Sequence, residues 1–203
     1  MLLKDKTAVI TGSNKGIGFK MLETFSKNGS NIVACSRNLN KDFLDQTEKL
    51  KKKFNNNIYP IKLDLENEES VKEAFIKINS LNLEIDILVN NAGTIHTALF
   101  QMTSVRKLKE IFQVNFFSQT IFTQYIIKSM MKRKSGSIIY ISSSSALDSN
   151  IGRSAYSASK AALIAQSKTL SKELGSLNIR VNTIAPGLTN TDMMKENTSQ
   201  EVI

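Results

Sequence analysis

Short apolar, β-branched runs alternate with longer amphipathic stretches along this chain. Thr7 to Thr11 predicts a buried strand, and a helix follows over 15–27. The pattern then predicts strand 31–35, a polar helix over 39–54, strand 58–63, helix 68–79 and strand 86–90. After a loop, Leu108, Ile111, Phe112, Ile121, Phe122, Tyr125 and Ile126 predict one long helix over 104–131. Strand 137–142, helix 155–174 and strand 179–184 complete the series.

Strands this apolar need cover on both faces, which calls for a parallel sheet joined by right-handed crossovers. The expectation is a doubly wound α/β fold with its ligand outside the carboxyl ends of the strands. Only two prolines occur, Pro60 and Pro186, and no repeat or low-complexity linker interrupts the pattern. One domain over 1–203 is therefore expected.

Composition narrows the classes. Apolar residues make up 41% of 203, and nine glycines bring the chain to the ~45% of a soluble globular protein. A single cysteine, Cys35, cannot form an internal disulfide, which fits a reducing compartment. No apolar run approaches the ~18 residues that span a bilayer, and Lys4, Asp5 and Lys6 occupy the place of a signal peptide's apolar stretch. A cytoplasmic protein with no membrane partner is expected. The net charge is +9, with its densest clusters at Lys49, Lys51, Lys52, Lys53 and at Lys132, Arg133, Lys134. Both clusters fall at predicted helix C-termini, where cations complement the helix dipole. No basic groove interleaved with aromatics is evident, so nucleic acid is not an expected partner.

Two motifs carry chemistry. Gly12, Ser13, Asn14, Lys15, Gly16, Ile17 and Gly18 form a glycine turn between the first strand and the first helix. Such glycines admit a phosphate close to the backbone, and the helix N-terminus supplies N–H donors. Tyr156 and Lys160 stand at i and i+4 of a predicted helix, so the ammonium shares a face with the hydroxyl. Lowering a tyrosine from ~10 to ~7 requires roughly 4 kcal/mol of preferential phenolate stabilisation, which a neighbouring cation helps to supply. By itself, a Tyr and a Lys at this spacing is also common on helix surfaces.

These features resemble the short-chain dehydrogenase/reductase family, and the likeness runs through nearly the whole chain. The T-G-x-x-x-G-I-G turn is complete at Thr11 to Gly18, the N-N-A-G run at Asn90 to Gly93, and the Y-x-x-x-K pair at Tyr156 and Lys160. The family's catalytic serine, thirteen residues before the tyrosine, falls on Ser143, with Ser142, Ser144 and Ser145 beside it. Its helix asparagine matches Asn115, and its cofactor loop matches Pro186 and Gly187, with Thr191 in the T-D-M that follows. Within the family the chain looks most like the 3-oxoacyl-[acyl-carrier-protein] reductases.

The resemblance implies a Rossmann-type sheet in the order 3-2-1-4-5-6. It implies hydride transfer between a nicotinamide and a carbonyl or alcohol substrate. Tyr156 would move the proton, Lys160 would bind the ribose and lower the Tyr pKa, Ser143 would hydrogen-bond the substrate oxygen, and Asn115 would hold a water of the proton path. The bland alternatives are a strand-end cap for Ser143 and a helix-kink bond for Asn115. Asn91, Ala92 and Gly93 would line the cofactor, and Asp64 would contact the adenine ring or cap a helix. The second strand ends in Cys35-Ser36-Arg37-Asn38, without the acid that accepts the 2′-OH of NAD. Arg37 and Lys15 therefore favour NADP(H), with NAD(H) the remaining option. With one histidine, His96, and one cysteine, the usual metal sites lack ligands, and His96 is expected as a loop residue at the mouth of the site.

The expected substrate is a small-molecule or acyl-carrier-bound carbonyl, the carrier being acidic and this surface basic. The alternatives are a sugar or other small alcohol, or a non-catalytic cofactor-binding remnant. A homo-oligomer, dimer or tetramer, is expected through the fourth and fifth predicted helices, where Ala158, Ala161, Ala162 and Ala165 permit close approach. Family members continue through a substrate lid and a seventh strand, whereas this chain stops at Ile203, so the seventh strand is expected to be missing.

Overall fold

The computed structural model describes residues 1–191 and residue 194. Six strands, β1 (Thr7–Thr11), β2 (Asn31–Ser36), β3 (Ile58–Lys62), β4 (Ile87–Asn90), β5 (Gly136–Ile141) and β6 (Ile179–Ile184), form one sheet in the order β3-β2-β1-β4-β5-β6. Every pairing is parallel, from Thr7 opposite Asn31 to Ile141 opposite Ile184. This is the Rossmann-type order expected.

Alternation along the strands feeds two cores. Val9, Val33 and Leu88 face one side, against Val71 and Ala74 of α3 (Glu68–Ser80), Phe122 and Ile126 of α5 (Ser118–Arg133) and Leu163 of α7 (Ser154–Leu174). Ala8, Ile10, Ile32 and Val89 face the other, against Leu22 of α1 (Gly16–Lys27) and Phe43 and Leu50 of α2 (Lys41–Phe54). Full burial of β1 on both faces explains its unbroken apolar run. Among the described residues no helix is long and apolar enough to cross a membrane.

Helix starts follow side-chain caps. The Asn40 side-chain oxygen Oδ1 accepts from Phe43 N at 3.0 Å and so starts α2 at residue 41, two residues later than predicted. Asn67 caps α3 and Ser104 caps α4 (Val105–Phe112) in the same way. The helix predicted over 104–131 is broken. A π-turn, Gln113–Phe117, separates α4 from α5, and an added short helix, α6 (Ser145–Asp148), follows β5. Periodicity places the apolar face of such a stretch but does not register one extra residue in a turn.

Candidate active site

A cavity of about 620 Å³ opens along the carboxyl ends of the strands, centred where β1 and β4 part to opposite neighbours. Thr11, the last residue of β1, fixes this crevice. Its hydroxyl accepts from Asn91 N and Ala92 N, both at 3.0 Å, while Asn91 Nδ2 donates to the carbonyls of Thr11 and Gly12. Gly12 (φ +65°) and Gly16 (φ +56°) take left-handed conformations, and a Cβ on Gly18 would sit 2.0 Å from the Gly12 carbonyl oxygen. Backbone packing therefore demands these glycines before any ligand does.

Asn14, Lys15, Gly16, Ile17 and Gly18 lie on the cavity wall, but Ser13 does not. Ser13 is fully buried, and both its N–H and its hydroxyl donate to the Cys35 carbonyl, at 3.0 Å each. It ties the turn to β2, which corrects its expected place on the cofactor. Helix α1 carries no side-chain cap and no acid in its first turn, unlike α2 and α3, and among the described residues no capping side chain stands between its first N–H groups and the cavity. That is the donor set a pyrophosphate requires, and the residues present fit a dinucleotide.

At the adenosine end the structure changes the charge balance read from the sequence. Arg37 is not an unopposed cation. Its Nη1 lies 3.0 Å from Glu66 Oε1, and both side chains are 61% exposed. No acid stands at the end of β2; this one arrives from the loop after β3. Asp64 accepts from Glu66 N at 3.0 Å and shapes that loop, while Asn67, not Asp64, caps α3.

At the opposite end, Lys160 is buried at 4% exposure, with Nζ 2.8 Å from the Ile141 carbonyl and 6.0 Å from the centre of the Tyr156 ring. Burial pulls its ammonium down to about 8. Ser142 to Ser145 all line the cavity, and side-chain bonds distinguish three of them. Ser142 donates to the Lys160 carbonyl at 2.8 Å, and Ser145 accepts from Asn150 Nδ2 at 3.1 Å. The Ser143 hydroxyl accepts from Ser145 N at 3.2 Å, which leaves its own proton for the cavity it lines with Tyr156.

Asn115 lies in the π-turn, fully buried behind the cavity wall. Its amide accepts from Thr94 N at 2.8 Å and donates to the Thr94 carbonyl and to Ser159 Oγ. Gly93 passes between it and the lysine, so that a Cβ there would lie 3.2 Å from both Asn115 Oδ1 and Lys160 Nζ. Ala92 and Gly93 line the cavity, as do Pro186, Gly187 and Thr191 on the far rim. Asp192 and Met193 of the T-D-M run lie outside the described residues. His96 is half-buried and absent from the wall, which Thr94 and Ile95 form instead. The sequence motifs did not include Arg153, which stands just before the first residue of α7 and three positions before Tyr156. Arg153 lines the cavity; burial lowers its guanidinium pKa and Tyr156 pulls it back up.

A family described as short chain dehydrogenase matches residues 6–202. The chain is 35% identical to the 3-oxoacyl-[acyl-carrier-protein] reductase of Aquifex aeolicus over 94% of its own length and 77% of that protein's. For the same enzyme of Thermotoga maritima the identity is 33%, over 97% and 79%. Among solved structures it is similar to the L-sorbose reductase of Gluconobacter frateurii complexed with NADPH and L-sorbose. There the TM-score is 0.88 at 33% identity, covering 95% of this chain and 73% of that one. On these grounds the chain belongs to the short-chain dehydrogenase family of oxidoreductases.

Proposed function

We propose that this chain is an NADP(H)-dependent reductase of a 3-oxoacyl group presented as a thioester on an acidic carrier protein. One observation carries the reading: Tyr156, Lys160 and Ser143 meet at one end of a single cavity whose other wall is the uncapped start of α1. Likeness to reductases of that substrate class supports the choice of substrate, and a bound NADPH in a similar reductase supports the cofactor.

A bound nicotinamide would supply a hydride to the carbonyl carbon, and the chain's own residues would supply the proton and the positioning. Tyr156 gives its hydroxyl proton to the carbonyl oxygen as charge develops there. Ser143 donates a hydrogen bond to the same oxygen, an interaction that strengthens as the oxygen becomes an alkoxide. The Lys160 ammonium favours the phenolate that Tyr156 leaves behind, and it supplies donors for ribose hydroxyls. Asn115 fixes the loop at Thr94 and, through Ser159, the turn of α7 that carries Tyr156, since Ser159 Oγ donates to the Tyr156 carbonyl at 2.7 Å. Gly12, Asn14, Lys15, Gly16, Ile17, Gly18, Arg37, Asp64, Asn91, Ala92, Gly93, Pro186, Gly187 and Thr191 complete the cofactor side.

The enzyme acts in the cytoplasm as one domain and as a homo-oligomer through α5 and α7, where Ala158 and Ala165 are exposed on α7. NADPH oxidation with a 3-oxoacyl carrier thioester tests the function, and sedimentation tests the assembly. A second reading, reduction of a ketose, draws on the likeness to L-sorbose reductase. Turnover of L-sorbose with none of the thioester would replace the first reading by the second.

A further inference from the structure

We infer that Glu66 sets this chain's cofactor discrimination, by competing with the cofactor's 2′-phosphate for Arg37. The inference rests on NADP(H) being the cofactor and goes beyond it by naming what opposes that preference. Arg37 and Glu66 stand on neighbouring loops, after β2 and after β3, and both line the cavity. Their 3.0 Å contact spans the gap between the two loops.

Neither side chain arrives there by accident of a loose loop. Ser36 Oγ donates to the Asn38 carbonyl at 2.9 Å, which clamps the turn holding Arg37. On the other side Asp64 accepts from Glu66 N, and the Leu65 carbonyl accepts from the buried Ser118 hydroxyl at 2.6 Å. The backbone is pinned on both sides of the pair while the side chains stay in solvent.

Four charged residues line this end of the cavity, Lys15 and Arg37 against Asp64 and Glu66, and they sum to zero. A 2′-phosphate brings nearly two negative charges to a site with no net attraction for it. To form a two-pronged contact with the phosphate, Arg37 must leave Glu66, whose carboxylate then remains beside the new anion. A 2′-hydroxyl pays neither cost. An exposed ion pair is worth well under the energy of a tenfold change in affinity, and a nearby like charge adds a comparable amount. The two together predict a modest but selective effect.

The test is titration of the full chain, by calorimetry or cofactor fluorescence, with NADPH, NADH, 2′,5′-ADP and 5′-ADP. Wild type, Glu66→Gln, Arg37→Ala and the double variant are compared. The Glu66→Gln change leaves the backbone bond to Asp64 intact, so the loop keeps its shape. Expected is a gain of about 3- to 10-fold in affinity for NADPH and 2′,5′-ADP, with less than about 2-fold for NADH and 5′-ADP. In the Arg37→Ala background the gain should shrink to about 2- to 3-fold, because the competition no longer has an object and only the like-charge repulsion remains. Unchanged affinity for 2′,5′-ADP, an equal gain for all four ligands, or a loss of NADH binding would each overturn the inference. The last result would make Glu66 an acceptor for the ribose instead. Wild type that favours 2′,5′-ADP through Arg37 with an inert Glu66 sinks this inference alone. Wild type with no such preference sinks the NADP(H) reading along with it.

Discussion

The two ends of the cavity are built on different principles. At the catalytic end the chemical groups are buried and wired to backbone: Lys160 to the Ile141 carbonyl, Asn115 to both sides of Thr94, Ser142 to the Lys160 carbonyl. At the adenosine end the deciding groups, Arg37 and Glu66, are well exposed and bonded mainly to each other. A low-dielectric interior makes a misplaced charge costly, so geometry there is fixed by several bonds at once. Solvent makes each surface charge cheap to keep and cheap to change. On the proposed function, chemistry sits in the first region, and discrimination between closely similar cofactors sits in the second.

The largest expected effect breaks the catalytic end while sparing the other. Tyr156→Phe removes the transferable proton and keeps the ring, so turnover should fall by at least ~10²-fold. NADPH affinity should hardly move, since the glycine turn and Arg37 are untouched. A variant with near-normal turnover, in an otherwise active preparation, would show that another group donates the proton.

Next comes the buried amide. Asn115→Leu deprives Thr94 of both a donor and an acceptor in a buried site, a loss of about 2–4 kcal/mol in unfolding free energy. Turnover should fall as well, because Ser159 and the turn carrying Tyr156 lose an anchor. An unfolding free energy equal to wild type would mean that the π-turn holds its shape without Asn115.

Lys160 gives a pH signature. Burial lowers its pKa from 10.5 to about 8, so between those values the unfolded chain binds more protons than the folded one. Stability from this group therefore rises with pH across that window, and the full cost of burial persists below it. Other groups titrate there too, so the readout is the difference from Lys160→Met, which has only a constant offset. Unfolding at a series of pH values should show wild type gaining on the variant between pH 8 and 10, by an amount on the order of 2 kcal/mol or less. A pH-independent difference would place the ammonium in a more polar setting than this one.

How much of this could be read from the chain follows the same division. The doubly wound fold was legible because burial on both faces leaves uninterrupted apolar runs such as Ala8 to Ile10, whereas the strand order came only with the family resemblance. Tyr156 and Lys160 were legible because one helix face is a local, periodic property. Asn115 was identified, yet the π-turn that aims its amide was not, since one extra residue per turn leaves no mark on the apolar pattern. Ser13 was assigned to the cofactor because sequence gives a turn's residues but not which of them point inward. Arg153 lay in plain view at i−3 of the tyrosine but belonged to no motif. Glu66 was hidden for a different reason: its contact with Arg37 joins residues 29 positions apart, across two strand ends, and only the register of β2 on β3 brings them together.

The smallest expected effect sharpens the contrast between the two ends without any mutation. Raising salt from about 0.01 M to about 1 M shortens the screening length from ~30 Å to ~3 Å. Exposed charges feel this fully, whereas groups buried as Lys160 is are shielded from added ions already. The KM for NADPH should therefore rise by a few-fold, and that for NADH by less, because only NADPH depends on an exposed Arg37–phosphate contact. Under saturating cofactor and substrate, kcat should stay nearly constant. Screening also weakens the Arg37–Glu66 pair that competes with the phosphate, so part of the loss cancels in wild type. In Glu66→Gln that cancellation disappears, and the KM for NADPH should climb more steeply with salt than in wild type. Parallel slopes for the two proteins would mean that Glu66 lies outside the field the phosphate feels. A salt-sensitive kcat with a flat KM would reverse the assignment of solvent-exposed electrostatics to the adenosine end.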